Sequence, residues 1–276
     1  MQTSYDVSTE KIQAKMLEIL VYFEKFCREN GLKFALCGGT ALGAVRHGGF
    51  IPWDDDVDIQ MPKQDYYELV RLVNEGAVIG EHCRLGSPLV KNGTPFHCPF
   101  AKLYDTRTTL RQKNLADHLD VDEGVWMDIF PLTGVPDDEG EREALYDWLS
   151  ENWLRIWLCS YRFNLDCGWK RRIKRLLLYI PARLHGLQYY LDEFERKIAS
   201  LPSIDETENA IAPAYFTYHL KSGMFTAGTF DTPFEDGIFP APLEYDWYLT
   251  ATYGDWRTPP APEDRGSTHH FEVYWR

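Results

Sequence analysis

Four aspartates fall within five residues at Asp54, Asp55, Asp56 and Asp58. On an extended chain, side chains alternate between faces. Asp56 and Asp58 therefore share one side, Val57 and Ile59 take the other, and Asp54 joins the first set if the strand begins that early. Neighbouring carboxylates repel, and burying them without a partner is unfavourable. A hard divalent cation relieves both problems, and oxygen ligands of this kind suit Mg²⁺. Upstream stands Gly38-Gly39-Thr40. Glycines let a turn approach an anion closely, and the N–H groups at a helix start can hold phosphate. The layout is that of metal-assisted chemistry on a nucleotide phosphate. As an isolated string, the aspartates would equally fit a solvated acidic turn or a helix cap. Three features favour chemistry: the apolar residues that follow, the preceding Gly-Gly-Thr turn, and a further carboxylate at Asp128 flanked by large apolar residues.

The elements that must position these groups follow from periodicity. A helix is predicted over 8–30, with Ile12, Met16, Ile19, Leu20, Phe23, Phe26 and Cys27 on one face and Asn30-Gly31 as its stop. A strand over 32–37, a short helix over 40–46, an aspartate-bearing strand over 51–61 and a helix over 62–75 follow. Short strands are expected within 83–112, and a longer one over 121–132 with Trp126, Asp128 and Phe130 on one face. Residues 137–165 read as a long helix carrying Trp148, Trp153 and Trp157. Residues 168–199 read as helix interrupted near Pro181 and Gly186, and a last helix is predicted over 243–253. The tail beyond it reads as irregular, being rich in proline and polar residues. The fold class expected is α+β: a small mixed sheet with flanking helices and a helical addition at about 137–200, all within one domain spanning 1–276.

Composition narrows the function. The 276 residues carry a net charge of −13, which disfavours general affinity for a nucleic-acid backbone. Hydrophobic content of 44% excludes a wholly disordered chain. The six cysteines form no C-x-x-C pair and read as reduced thiols of a cytoplasmic protein. Neither a secretory leader nor a membrane-spanning run is recognised. One stretch departs from the acidic balance: Lys170, Arg171, Arg172, Lys174, Arg175 and Arg183, with no acid between Asp166 and Asp192. Its interleaved apolar residues suit peripheral contact with an anionic membrane or a phosphorylated acceptor, or else a solvated basic face.

The run GGTALGAVRHGGFIPWDDDVDI resembles the signature of the LicD family, a branch of the nucleotidyltransferase-fold superfamily that is also similar to the catalytic domain of fukutin-related protein. FAKLYDTRTTL, WMDIFPL, YLTATYGDWRTPP and HHFEVYW resemble further family blocks in the same order, whereas 137–235 offers little to match. The resemblance implies a polymerase-β-like nucleotidyltransferase fold and Mg²⁺ or Mn²⁺. It also implies transfer of phosphocholine, or a similar phospho-alcohol, from a CDP-linked donor such as CDP-choline to a hydroxyl of a cell-surface glycan or lipid-linked precursor, of the teichoic acid or lipopolysaccharide kind.

Carried over residue by residue, the resemblance makes Asp56 and Asp58 the paired metal ligands, with Asp54 assisting through water. Asp128 becomes the third carboxylate, as ligand or general base. Gly38, Gly39 and Thr40 become the phosphate-contacting turn, and Arg46 and Lys102 the cations facing the diphosphate. His269 and His270 fall in a family block without metal-site spacing. Two other readings stay open: a nucleotidyltransferase that attaches a nucleoside monophosphate to a sugar or protein, and a non-catalytic nucleotide-binding module.

Overall fold

The seven apolar side chains predicted to share one face of the first helix are all buried along α1 (Thr9–Asn30) in a computed structural model of the protein. Gly31, with φ of 68°, ends the helix, and its N–H bonds the Cys27 carbonyl. The structure describes residues 8–91, 95–116, 118–163, 168–212, 220–223, 228–266 and 271–276. Cys167, His269 and His270 lie outside the described residues.

After α1 the chain forms β1 (Ala35–Leu36), α2 (Gly38–His47), β2 (Asp58–Pro62), α3 (Lys63–Asn74), β3 (Cys83–Gly86), β4 (Ala101–Asp105) and β5 (Thr108–Gln112). There follow β6 (Trp126–Val135), α4 (Glu139–Ser160), α5 (Trp169–His185), α6 (Leu187–Ser200), β7 (Asn209–Ile211) and β8 (Leu220–Lys221). The chain closes with β9 (Thr229–Phe234), β10 (Gly237–Pro242), α7 (Tyr245–Tyr253) and β11 (Phe271–Trp275). The architecture is α+β, with helices packed on a mixed sheet in the order β1-β2-β6-β4-β3. The β2–β6 pair is parallel and its neighbours are antiparallel.

β6 is the axis of this sheet. Every residue along it is buried except Asp128, which is half-buried. Pro131 is tolerated in so central a strand because β6 changes partner there. β4 pairs with residues up to Ile129 and β7 pairs from Thr133 onward, so the missing N–H falls between two ladders.

Two expectations are corrected. The aspartate-bearing strand starts at Asp58 instead of residue 51, because the Asp54 N–H turns back to the Ile51 carbonyl and closes a turn ahead of the ladder. The tail is not irregular throughout. Proline ends at Pro262, and β11 then pairs antiparallel with β5, burying Val273 opposite Leu110.

Helices α4, α5 and α6 share an apolar cluster of their own that includes Leu145, Leu149, Ile156, Ala182, Leu191, Phe194 and Ile198. Asp138 caps α4 by accepting the Glu141 N–H at 2.9 Å. Trp153 packs against both this cluster and the sheet core, and its ring stacks on Phe100 at 6.1 Å. Among the described residues no helix is long and apolar enough to cross a membrane.

Candidate active site

Parallel pairing of β2 with β6 places Asp58 directly opposite Asp128, and antiparallel pairing of β6 with β4 places Asp128 opposite Lys102. Three charged side chains from three strands thus stand in one row across the sheet. Lys102 Nζ lies 2.6 Å from Asp128 Oδ1, with both side chains largely shielded from water. The ammonium also sits over the Trp126 ring at 4.2 Å and the Phe100 ring at 5.4 Å. Burial alone would push the Lys102 pKa down, but Asp128, with help from Cys98 and Glu123, outweighs it and the net direction is up.

Asp56 lies half-buried in the segment leading into β2. The fields of Asp58, Asp128 and Asp56 converge on the buried Cys37 thiol. Burial first, and then these three carboxylates, push its pKa well above the usual thiol value. Cys37 is thereby kept neutral and unreactive.

The Gly-Gly-Thr turn is built into the same corner. The Cys37 N–H donates to the Asp58 carbonyl at 3.0 Å, tying the end of β1 to β2. The Thr40 hydroxyl is buried and accepts the Asp58 N–H at 2.8 Å, so it fixes the backbone that carries the carboxylate. The Gly38 N–H donates to Tyr248 Oη of α7 at 2.7 Å. Gly39 makes room for the Asp54 carboxylate: a Cβ there would stand 2.7 Å from Asp54 Oδ2. The first turn of α2 therefore already faces an anionic oxygen.

Arg46 is set apart from this corner. It lies seven residues beyond Gly39 on α2, about 10 Å of helix rise, and its Nη1 donates to the Trp256 carbonyl at 2.8 Å. Burial is the main cause lowering its pKa, with Arg265 contributing. His47 is exposed, edge-on to Trp53 at 6.5 Å, and lowered first by desolvation and then by Arg46.

A cavity of about 290 Å³ opens beside Asp128 and Lys102, walled by Phe100, Trp126, Trp153, Trp157, Tyr161 and Phe271. Of these rings only Trp126, which shares a strand face with Asp128, reads from the sequence as near the site; Trp153 and Trp157 read as helix-packing contacts. Trp153 and Trp157, four apart on α4, share one face, and Tyr161 follows as the extended residue that ends the helix. His97 also lines the cavity; burial, with the nearby Lys102 charge, pushes its pKa down to about 3, so it is neutral. Tyr248, 210 residues from Gly38, has no local signal at all.

The donor chemistry fits a divalent cation: Asp56, Asp58 and Asp128 offer only hard oxygens, and Lys102 offsets one of their three charges. They do not close into a compact triad. Among the described residues no group of three or more His, Cys, Asp or Glu side chains is gathered tightly enough to hold a metal ion.

The fold and this acidic corner define a class: an α+β protein whose anion-facing helix start adjoins carboxylates on paired strands. Residues 31–102 match a family model described as LicD/FKTN/FKRP, nucleotidyltransferase domain. The chain is 25% identical over 274 residues to the lipopolysaccharide cholinephosphotransferase LicD of Haemophilus influenzae, covering 95% of this chain and 96% of that protein. It is 43% identical over 53 residues to the human ribitol 5-phosphate transferase FKRP, covering 18% of this chain and 11% of that one. A third similarity, to mannosyltransferase regulator 4 of Saccharomyces cerevisiae, is 28% over 151 residues, or 53% of this chain and 12% of that protein. The resemblance to the LicD family read from the sequence is therefore borne out as a resemblance, and the matched segment 31–102 runs from before Gly38 to Lys102.

Proposed function

We propose that this protein transfers a phosphorylated alcohol, phosphocholine first among candidates, from a CDP-linked donor to a hydroxyl of a cell-surface glycan or its precursor. The observation that carries this reading is the row Asp58–Asp128–Lys102 beside an aromatic cavity, with Asp58 and Lys102 inside the segment 31–102 that matches the family model. The relative that matches along its whole length is named a cholinephosphotransferase, and the shorter FKRP match is named a ribitol 5-phosphate transferase. On this reading the fold is of the polymerase-β-like nucleotidyltransferase kind.

Each residue then has a task. The Gly38-Gly39-Thr40 turn brings the start of α2 to the donor's phosphates; the Gly38 N–H is held by Tyr248, so the N–H groups from Gly39 onward face the anion, with Thr40 holding Asp58 in place. Asp56 and Asp58 would hold Mg²⁺ or Mn²⁺, with Asp128 as a third oxygen ligand and Asp54 acting through water. Such an ion, when bound, supplies neutralisation of diphosphate charge. Lys102 pairs with Asp128 Oδ1, and that carboxylate can accept the hydrogen bond of the acceptor hydroxyl. The hydroxyl oxygen bonds to the phosphorus nearest the alcohol, the bond from that phosphorus to the CMP oxygen breaks, and the hydroxyl proton passes to Asp128 or solvent. The ring faces of the cavity suit a quaternary ammonium such as choline.

The test is incubation with a panel of CDP-alcohols and Mg²⁺, following CMP release for the native chain and Asp58→Asn. Release that depends on Asp58 and prefers CDP-choline supports the proposal. Pyrophosphate release from a nucleoside triphosphate, without CMP from any CDP-alcohol, would replace it with nucleotidyl transfer. Tight donor binding with no product would leave a binding module.

A further inference from the structure

Helix α5 turns its apolar face away from the protein. Ala182 is fully buried against α4, and the Arg175 guanidinium lies over the Trp157 ring at 4.8 Å, so one side of the helix is fixed to the body. The opposite side carries Trp169, Ile173, Leu176, Leu177, Ile180 and Leu184, all exposed; Leu177 is 70% and Leu184 80% accessible. At 3.6 residues per turn these six fall within an arc of about 100°, opposite Ala182. An ordinary surface helix shows the reverse pattern, apolar inward and polar outward. Scattered exposed leucines would mean little, but six large apolar side chains in one stripe about 25 Å long are a patch with a purpose.

The borders of the stripe say what covers it. On the same wheel Lys170 and Lys174 flank one edge, and Arg172 and Arg183 the other. Lys174 Nζ lies 3.7 Å from Glu151 of α4, and Arg183 Nη1 lies 3.4 Å from His118. No acid occurs on α5, and none from Cys167 to Leu191, in a chain whose net charge is −13. An apolar stripe edged on both sides by cations matches a bilayer interface with anionic headgroups, where rings and leucines enter the acyl boundary and the ammonium and guanidinium groups meet phosphates.

We propose that α5 lies in the plane of an anionic membrane surface and docks the protein there. The cavity beside Asp128 shares Trp157 with this helix, so docking would bring that cavity close to the lipid surface. The inference stands on the stripe and its borders, independently of the transfer reaction.

The test is flotation of the full chain with vesicles of about three parts phosphatidylcholine to one part phosphatidylglycerol, against pure phosphatidylcholine. Binding to the anionic vesicles should exceed binding to the neutral ones by about tenfold or more and fall with added salt. The double variant Leu177→Ser/Leu184→Ser, and separately Lys170→Gln/Lys174→Gln, should each lose about tenfold of it. Both pairs are exposed, so circular dichroism should show an unchanged fold. Absence of binding to anionic vesicles, or equal binding by the leucine variant, overturns the proposal. So does a dimer in sedimentation velocity that the leucine variant abolishes, because the stripe would then be covered by a second copy of the chain.

Discussion

Lys102 and Asp128 face each other across the β4–β6 ladder, with Nζ 2.6 Å from Oδ1 and the ammonium closed in by the rings of Trp126 and Phe100. The ion pair sits at the exposed end of neither strand; it is the inner end of the carboxylate row. Its removal should therefore be felt in both stability and chemistry.

Lys102→Met leaves Asp128 half-buried without its cation. Breaking such a pair by removing one member should destabilise the fold by about 3 kcal/mol in chemical denaturation. Turnover should fall by at least about 100-fold, since the carboxylate row gains a net negative charge facing the donor. The Lys102 pKa is raised in the folded state, so its contribution is complete below the unfolded lysine value and is lost only as pH rises through the higher folded one. The stability gap between native and variant should accordingly stay constant from about pH 6 to pH 9. A gap that shrinks within that window would show that the ammonium is not held as described.

Thr40→Val tests whether the hydroxyl acts on the backbone of Asp58. Valine keeps the shape but leaves the buried Asp58 N–H without the acceptor it has at 2.8 Å. A loss of about 1–3 kcal/mol is expected, with Thr40→Ser restoring most of it. If valine were tolerated while activity vanished, the hydroxyl would belong to substrate binding instead.

Sequence periodicity carried much of the local structure and little of the assembly. The α1 face and the short α2 follow from spacing within one element. The register that sets Asp58 beside Asp128 joins strands with α3, β3, β4 and β5 between them, and no local pattern encodes it. The same holds for β5 with β11 and for the Tyr248 hydroxyl that meets Gly38. The strand start was misplaced for a physical reason: alternation of side chains in 51–57 looks extended, but the Asp54 N–H is already spent on Ile51. Lys102 was legible as a cation within FAKLYD, yet its closeness to Asp128 emerges only from the β4–β6 pairing.

Gly39→Ala separates function from folding. An alanine Cβ would meet Asp54 Oδ2 at 2.7 Å, a clash that rotation of one carboxylate can relieve. Alanine is also the better helix former by about 1 kcal/mol, so the denaturation midpoint should hardly change. The methyl group would nonetheless stand where the first turn of α2 approaches an anion. Donor affinity, read by calorimetry with a CDP-alcohol, should drop by about tenfold or more. Unchanged affinity would remove this turn from the phosphate site.

Acid sensitivity should report on His97. Its ring is buried beside Lys102, which together push its pKa down to about 3, while an unfolded histidine titrates near 6.5. The unfolded chain therefore takes up a proton as pH falls below 6.5 and the folded chain does not, so stability is lost over the interval between the two values. For the histidine alone the loss is about 2 kcal/mol by pH 5. Glu123, whose Oε1 lies 3.5 Å from His97 Nδ1, is pushed up by burial and favours the folded state as it protonates, which opposes the histidine over part of this range. The difference between native protein and His97→Gln isolates the histidine, because Glu123 is present in both. The variant should lose less stability than the native chain between pH 7 and pH 5, by about 2 kcal/mol. Parallel pH profiles would mean that His97 picks up its proton inside the fold, with Glu123 as the counter-charge.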